Sequence, residues 1–446
     1  MKRYLILPLL LILSFVRTAD AVPPIQEARM DNGLRVLLME AHNVPMVSMQ
    51  LSVVAGSRFD APGKAGTASL LADMLGDHTA RHNHRAWADL LDADAIHLGA
   101  GADRDGLSLS LTTLKEALKP GLDAFAEALL MPGWDKKRFT IIQQDSIAAA
   151  RKDLEDPGAQ AATAAATLLF GNHPYGHRTG GTATSLAAIS IPDLKTLYWQ
   201  QIKPEGAVLA VSGDITMAEL LPLLKARLSG WRGKPEHSLM DIATAPPVAG
   251  KSVDVQLPTS QTLVQLLRQG PARSDAHFFP DFVLNHILGG GGFASRLMEE
   301  VREKRGLVYG VYSYFIPLAA PGPFIISLQT KGDQAAQAEA VVRKVMQEMA
   351  AGGITKAQLQ ASKDNLSGSF AQRMDSNRER VGLISMIGLY NLPLDYLATW
   401  TAHVNAVTLA QVKAQAALYL KPAEWNRVRV GANLDGATGK SSAHSK

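Results

Sequence analysis

Leu288–Phe315 reads LGGGGFASRLMEEVREKRGLVYGVYSYF: four glycines, a charged helical stretch and an aromatic strand. Gly289, Gly290, Gly291 and Gly292 follow a helical segment rather than a strand, so the setting of a phosphate-binding loop is missing. Four glycines instead let backbone approach closely or swing as a hinge, and they are expected to border a substrate-binding surface. The helix after them should end near Gly306, leaving Arg302 in its last turns and Tyr309 on the next strand. Both can then face one cavity, as a pair of hydrogen-bond donors. The bland alternative pairs Arg302 with Glu299 or Glu300 and puts Tyr309 in the core. Near the front of the chain, Gly66–Leu75 reads GTASLLADML and holds the corresponding place in an earlier half.

The two halves repeat each other most plainly at their ends. Ser190–Gly213 is SIPDLKTLYWQQIKPEGAVLAVSG and Thr408–Gly431 is TLAQVKAQAALYLKPAEWNRVRVG. Ser190 and Thr408 read as helix N-caps. A Lys-Pro pair then stops each helix, and each segment closes on a strand and a glycine. Upstream the alignment drifts by a few residues, so GTASLLADML faces FPDFVLNHIL at Phe279–Leu288. A repeat this long is a duplicated domain rather than a solenoid turn. Each half reads as α+β. Asn32–Ala55 is expected to be a hairpin of strands Gly33–Met39 and Val44–Val54, with helices at Gly66–Gly76 and His84–Leu91. Strands Ile96–Ala102 and Gly106–Thr112 and the helix Lys115–Leu130 follow, the leucine–serine alternation of Leu107–Leu111 marking a half-buried strand. The domains are accordingly 22–230 and 251–433. Residues 231–250, broken by Pro and Gly, join them as a linker. The polar segment 434–446 is expected to be a disordered tail.

The first 21 residues have the form of a signal peptide. Lys2 and Arg3 precede an apolar run of about 13 residues, and Ala19-Asp20-Ala21 is a small-residue cleavage site. That run falls short of the roughly 18 to 20 residues a membrane span needs. Cleavage after Ala21 would give a periplasmic or secreted protein and lower the formal charge from +4 to +2 by removing Lys2, Arg3, Arg17 and Asp20. Such a balance gives no ground for nucleic acid as a partner. The absence of cysteine excludes disulfides, thiolate metal sites and a cysteine nucleophile together. His78, His82 and His84 lie in a loop that does not fix them on one face, and solvated histidines are the expectation there. No G-x-S-x-G elbow occurs.

The two quoted stretches together resemble the pitrilysin/insulinase family of inverted-motif zinc peptidases, whose active members read roughly G-x-A-H-L-L-E-H-M-L at the front position. Here Ser69 and Asp73 stand where the zinc histidines would be, and Ala72 where the catalytic glutamate would be. In an active member two imidazoles four residues apart reach one ion, and the glutamate takes a proton from the metal-bound water. The family's third ligand, a later glutamate, has its place at Ala149 in QQDSIAAAR, where Asp145 is the only carboxylate. The resemblance implies a tandem duplication of two α+β domains, each a mostly antiparallel sheet packed with helices, forming half of a clamshell chamber. It further implies the short, two-chain form of the family. There one chain holds zinc and a homologous sister supplies an Arg and a Tyr, here Arg302 and Tyr309. This chain fits the second role. It would bind no cofactor itself, zinc belonging to the partner, and would help degrade unfolded peptides held in extended form along a sheet edge. The alternatives are a structural or peptide-binding scaffold with no part in hydrolysis, or a hydrolase rebuilt on Asp73 and Asp145.

Overall fold

The computed structural model describes residues 22–432 and 434. The signal peptide with its cleavage site, and most of the expected tail, lie outside them. Leu434 itself is buried, and its carbonyl accepts a hydrogen bond from Arg429.

The N-terminal half opens with β1 (Gln26–Arg29), β2 (Arg35–Glu40) and β3 (Met46–Val53). Next come α1 (Thr67–Asp77), α2 (His84–Ala93), β4 (His97–Ala102) and β5 (Leu107–Leu114). Helices α3 (Leu118–Leu130), α4 (Lys136–Lys152), α5 (Pro157–Phe170), α6 (Ala183–Ala187) and α7 (Ile191–Gln201) follow. β6 (Val208–Gly213) and α8 (Met217–Leu228) close the half. The second half runs β7 (Ser252–Gln256), β8 (Gln261–Gln269), α9 (Phe278–Asn285), β9 (Val311–Phe315) and β10 (Pro323–Lys331). It ends with α10 (Ala335–Ala350), α11 (Lys356–Ser369), α12 (Asn377–Leu389), α13 (Tyr396–Ala406), α14 (Leu409–Tyr419) and β11 (Asn426–Gly431). None of the described helices is long and apolar enough to cross a membrane.

The expected hairpin at Asn32–Ala55 is not formed. The first sheet has the order β1-β2-β6-β3-β5-β4, so β6 lies between β2, which it pairs in parallel, and β3, which it pairs antiparallel. Two causes combine. All six residues of β6 are buried, which suits a central strand. The five residues between β2 and β3 can also step across two strand spacings, roughly 10 Å. The second sheet, β7-β11-β8-β10-β9, places β11 between β7 and β8 in the same way. β6 spans 208–213 and β11 spans 426–431, so the duplication holds at the level of strand order.

Alternation decides the faces. Val47, Met49 and Leu51 of β3 and Leu107, Leu109 and Leu111 of β5 point into the core under α1 and α3. Burying each such side chain contributes roughly 1.5–3 kcal/mol. On the opposite face, Leu37, Met39, Val208 and Ala210 meet Ile384 and Ile387 of α12, a helix from the other half. The exchange is mutual, because Ala161, Ala165 and Leu169 of α5 pack on Leu267, Val428 and Val430 of the second sheet. Gly388 makes the α12 contact close: a Cβ there would stand 2.4 Å from the Val208 side chain and 2.9 Å from that of Leu37.

Asp105, fully buried, ties the halves together. One carboxylate oxygen accepts from the Tyr175 hydroxyl and from Arg58 (3.4 Å), the other from Tyr390 (2.9 Å) and the Ala319 N–H (2.8 Å). Arg58 also donates to the carbonyls of Ser238 and Leu239 at 2.8 Å, anchoring the linker. Trp231, at the linker's start, is buried with its indole on the Ile202 carbonyl.

Candidate functional site

α1 carries the altered metal-motif positions. Its first turn is held by Asp60, whose carboxylate accepts from the N–H groups of Gly66 (2.7 Å) and Ala68 (2.9 Å). Burial pushes Asp60 up to about 7 against those hydrogen bonds. Ala72 is buried, and the Ser69 hydroxyl is committed to the Thr179 carbonyl at 3.0 Å. Asp73 is open to solvent yet crowded by protein, and that partial desolvation raises its pKa. Ala149 and Asp145 are exposed on α4, which packs against α1. These positions therefore offer Asp73 and no imidazole, which does not fit the three-ligand set of a catalytic zinc. Among the described residues, no group of three or more His, Asp or Glu side chains is arranged to hold a metal ion.

Of the three histidines near α1, His84 is exposed as expected, His82 is half-buried, and His78 is built in. His78 is buried, its Nδ1 on Asp77 (2.8 Å) and its Nε2 accepting the Asp135 N–H (3.2 Å). His82 pairs with Glu127 and His84 with Asp77. Burial alone would raise Asp77, but hydrogen bonding and charge from Arg138 hold it below its ordinary value. His173 braces its turn by accepting from the Tyr175 N–H (3.1 Å) and facing the Ala243 carbonyl at 2.8 Å.

Arg302 and Tyr309 do come together, with two corrections. Arg302 lies in a π-helical turn, Met298–Glu303, and its guanidinium sits 5.7 Å from the Tyr309 ring. Tyr309 is not on a strand, since β9 starts at Val311, and at 89% exposure it faces open surface rather than an enclosed cavity. Burial in the core is ruled out by the same number. Arg302 pairs with Glu303, while Glu299 and Glu300 are engaged by Lys304 and Arg305. Phe293 escapes a reading of the sequence, yet its ring lies 4.7 Å from the Arg302 guanidinium. Phe293 is 70% exposed, and an exposed aromatic beside a glycine run was the one signal available. Crowding accounts for Gly289, Gly290 and Gly291, whereas Gly292 stands in open space with a positive φ of 59°. A Cβ on Gly289 would stand 2.6 Å from the Ser313 nitrogen of β9, and one on Gly290 2.6 Å from the Asn285 amide.

A trough of three adjoining cavities runs along α12 across both halves. At one end a cavity of about 450 Å³ lies on the non-core face of β3, β4 and β5, lined by Ser48, His97, Ser108 and Ser110. Gln50 and Ser108 are shared with a second of about 520 Å³ between the halves. Arg273, Pro317 and Met386 are shared by that one with a third of about 390 Å³. β4, the outer strand of its sheet, lies beside α1 at the first end.

Comparison with known proteins agrees with this architecture. Residues 35–168 match the family described as insulinase (peptidase family M16), and residues 188–366 match the peptidase M16 inactive domain. A crystal structure of a peptidase M16 inactive domain from Pseudomonas fluorescens superposes with a TM-score of 0.87 at 31% identity, covering 92% of this chain and 98% of that one. A protease structure from Helicobacter pylori shares the fold, with a TM-score of 0.84 at 19% identity over 92% of this chain and all of that one. Among curated relatives, a Mycobacterium leprae protein named an uncharacterized zinc protease is 27% identical, with 86% of each chain aligned. A Helicobacter pylori protein named non-peptidase homolog YmxG is 26% identical over 84% of this chain and 87% of its own. The chain belongs to the M16, or insulinase, peptidase family, and it is a zinc-protease-like protein of the non-catalytic kind.

Proposed function

We propose that this chain is the exported, non-catalytic subunit of a heterodimeric peptide-degrading metallopeptidase. A homologous partner holds the zinc and the general base. This chain binds no metal, forms half of a clamshell chamber and contributes Arg302 and Tyr309 to the partner's site. The observation that carries the reading is a contrast within one molecule. The positions on α1 and α4 that would ligate metal lack their donors, while Arg302 and Tyr309 stand together on an open surface accessible to another chain. Peptide would lie extended along the trough and the β4 edge, held mainly by its backbone, with loose sequence selectivity.

The test is steady-state turnover of a short fluorogenic peptide by this chain mixed with a zinc-bearing homologue. Arg302→Ala and Tyr309→Phe should each lower turnover while the two chains still co-elute. Unchanged turnover in both would make the chain a scaffold. Metal analysis after dialysis provides a second check: the purified chain should retain no stoichiometric zinc. One tightly held zinc lost on Asp73→Ala would refute the reading.

A further inference from the structure

The trough ends in the cavity of about 390 Å³, and its wall does something Arg302 and Tyr309 do not. It is built largely of rings, Phe278, Phe282, Tyr396 and Trp400 among them, and of two guanidinium groups. That of Arg273 lies 5.3 Å from the Phe278 ring and 5.7 Å from that of Tyr390. That of Arg373 lies 5.6 Å from Phe282 and 5.5 Å from Trp400. Neither side chain makes an ion pair or a hydrogen bond among the described residues, and the Arg273 Nε is buried without an acceptor. The carboxyl in the wall, Asp281, is 1% exposed with both oxygens sealed away and unbonded, so it neutralises neither arginine. Arginine stays charged even when desolvated, and a partly buried cation calls for an anion. Planar guanidinium groups recognise carboxylates through paired hydrogen bonds.

We propose that this cavity captures the C-terminal residue of an extended peptide, its carboxylate on Arg273 and Arg373 and its apolar or aromatic side chain among the rings. Two features favour a peptide end over a free small acid. The cavity opens into the trough through Arg273, Pro317 and Met386 rather than standing alone. Tyr314 and Phe315 in its wall also belong to β9, whose other end follows Tyr309 by two residues. A five-residue strand is about 17 Å long, so the cavity and Tyr309 lie at opposite ends of β9, a separation that about six extended residues would span. The inference rests on the peptide-handling reading above, but its test needs no partner.

Binding to the whole chain would be measured by calorimetry with three probes: a pentapeptide ending in phenylalanine with a free carboxylate, its C-terminal amide, and N-acetylphenylalanine. The acid should bind roughly tenfold or more tightly than the amide, the usual worth of a charge-assisted hydrogen bond. Arg273→Leu and Arg373→Met should each remove that preference while leaving the thermal midpoint nearly unchanged. Equal affinity for acid and amide, or an acid preference indifferent to both substitutions, would overturn the proposal. So would N-acetylphenylalanine binding as tightly as the pentapeptide, which assigns a small acid instead, or no binding by any probe. The partner assay on Arg302 and Tyr309, run with an amidated substrate, stands or falls independently of these results.

Discussion

Arg302 is paired with Glu303 in its own short turn and flanked by two rings, Phe293 and Tyr309. A guanidinium held this way is aimed without being buried, which suits a group that meets charge arriving on another chain. Loss of one oxyanion donor costs roughly 10²–10³ in kcat, or about 2.7–4 kcal/mol, and that is the fall expected for Arg302→Ala and for Tyr309→Phe with the partner present. Arg305 provides the control. It is spent on the Glu300 carbonyl and carboxylate within its own turn, so Arg305→Ala should leave turnover nearly intact. A larger effect at Arg305 than at Arg302 would reverse the assignment. Asp281 makes a separate prediction about pH. Burial pushes its carboxyl up to about 8 from an ordinary 3.8, so between those values the folded chain holds a proton that the unfolded chain releases. Stability from this group is fully present below pH 3.8 and is lost as pH rises toward 8, by at most about 1.4 kcal/mol per pH unit. Denaturant unfolding at several pH values should therefore show a shallower decline with pH in Asp281→Asn. Parallel curves for the two proteins would exclude this account.

The elements show what was legible beforehand. Capping and periodicity are local, and they placed α1, α2, β4 and β5 to within a few residues. The Ser190 and Thr408 caps stand, with the Ser190 N–H bonded to Asp193 and the Thr408 N–H to Gln411. Arg302 and Tyr309 were legible for the same reason, since only a turn separates them. Strand order was not, because Asn32–Ala55 carries no sign that a strand some 150 residues later will slip between its two arms. The burial of His78 was equally hidden, since its partner Asp135 lies far along the chain. Periodicity also says that one face of α12 is apolar, but not that the face belongs to the other half's sheet. Gly388 marks that contact, and Gly388→Ala should destabilise by about 1–3 kcal/mol through overpacking against Val208 and Leu37. Chemical denaturation measures it directly, and a neutral or stabilising result would show that the sheet yields at that point.

For the whole molecule, duplication and family were readable from two short segments, whereas the clasp between the halves was not. Export is the prediction that concerns the entire chain. Envelope-fraction protein should begin at Val22, because Ala19 and Ala21 are the small residues a signal peptidase accepts. An intact mass that still includes residues 1–21 would place the protein differently. The exchange of α5 and α12 has a mechanical consequence. Each sheet is roofed by a helix that arrives from the opposite half, and Asp105 bolts the crossing from beneath. To swing one half away from the other, the chain would have to bare both apolar sheet faces to water at once. A jaw hinged inside this polypeptide is thus closed off as a way of admitting substrate. In the proposed dimer the gate has to be the seam between the two chains, so the pace of uptake would be set by how often that seam parts.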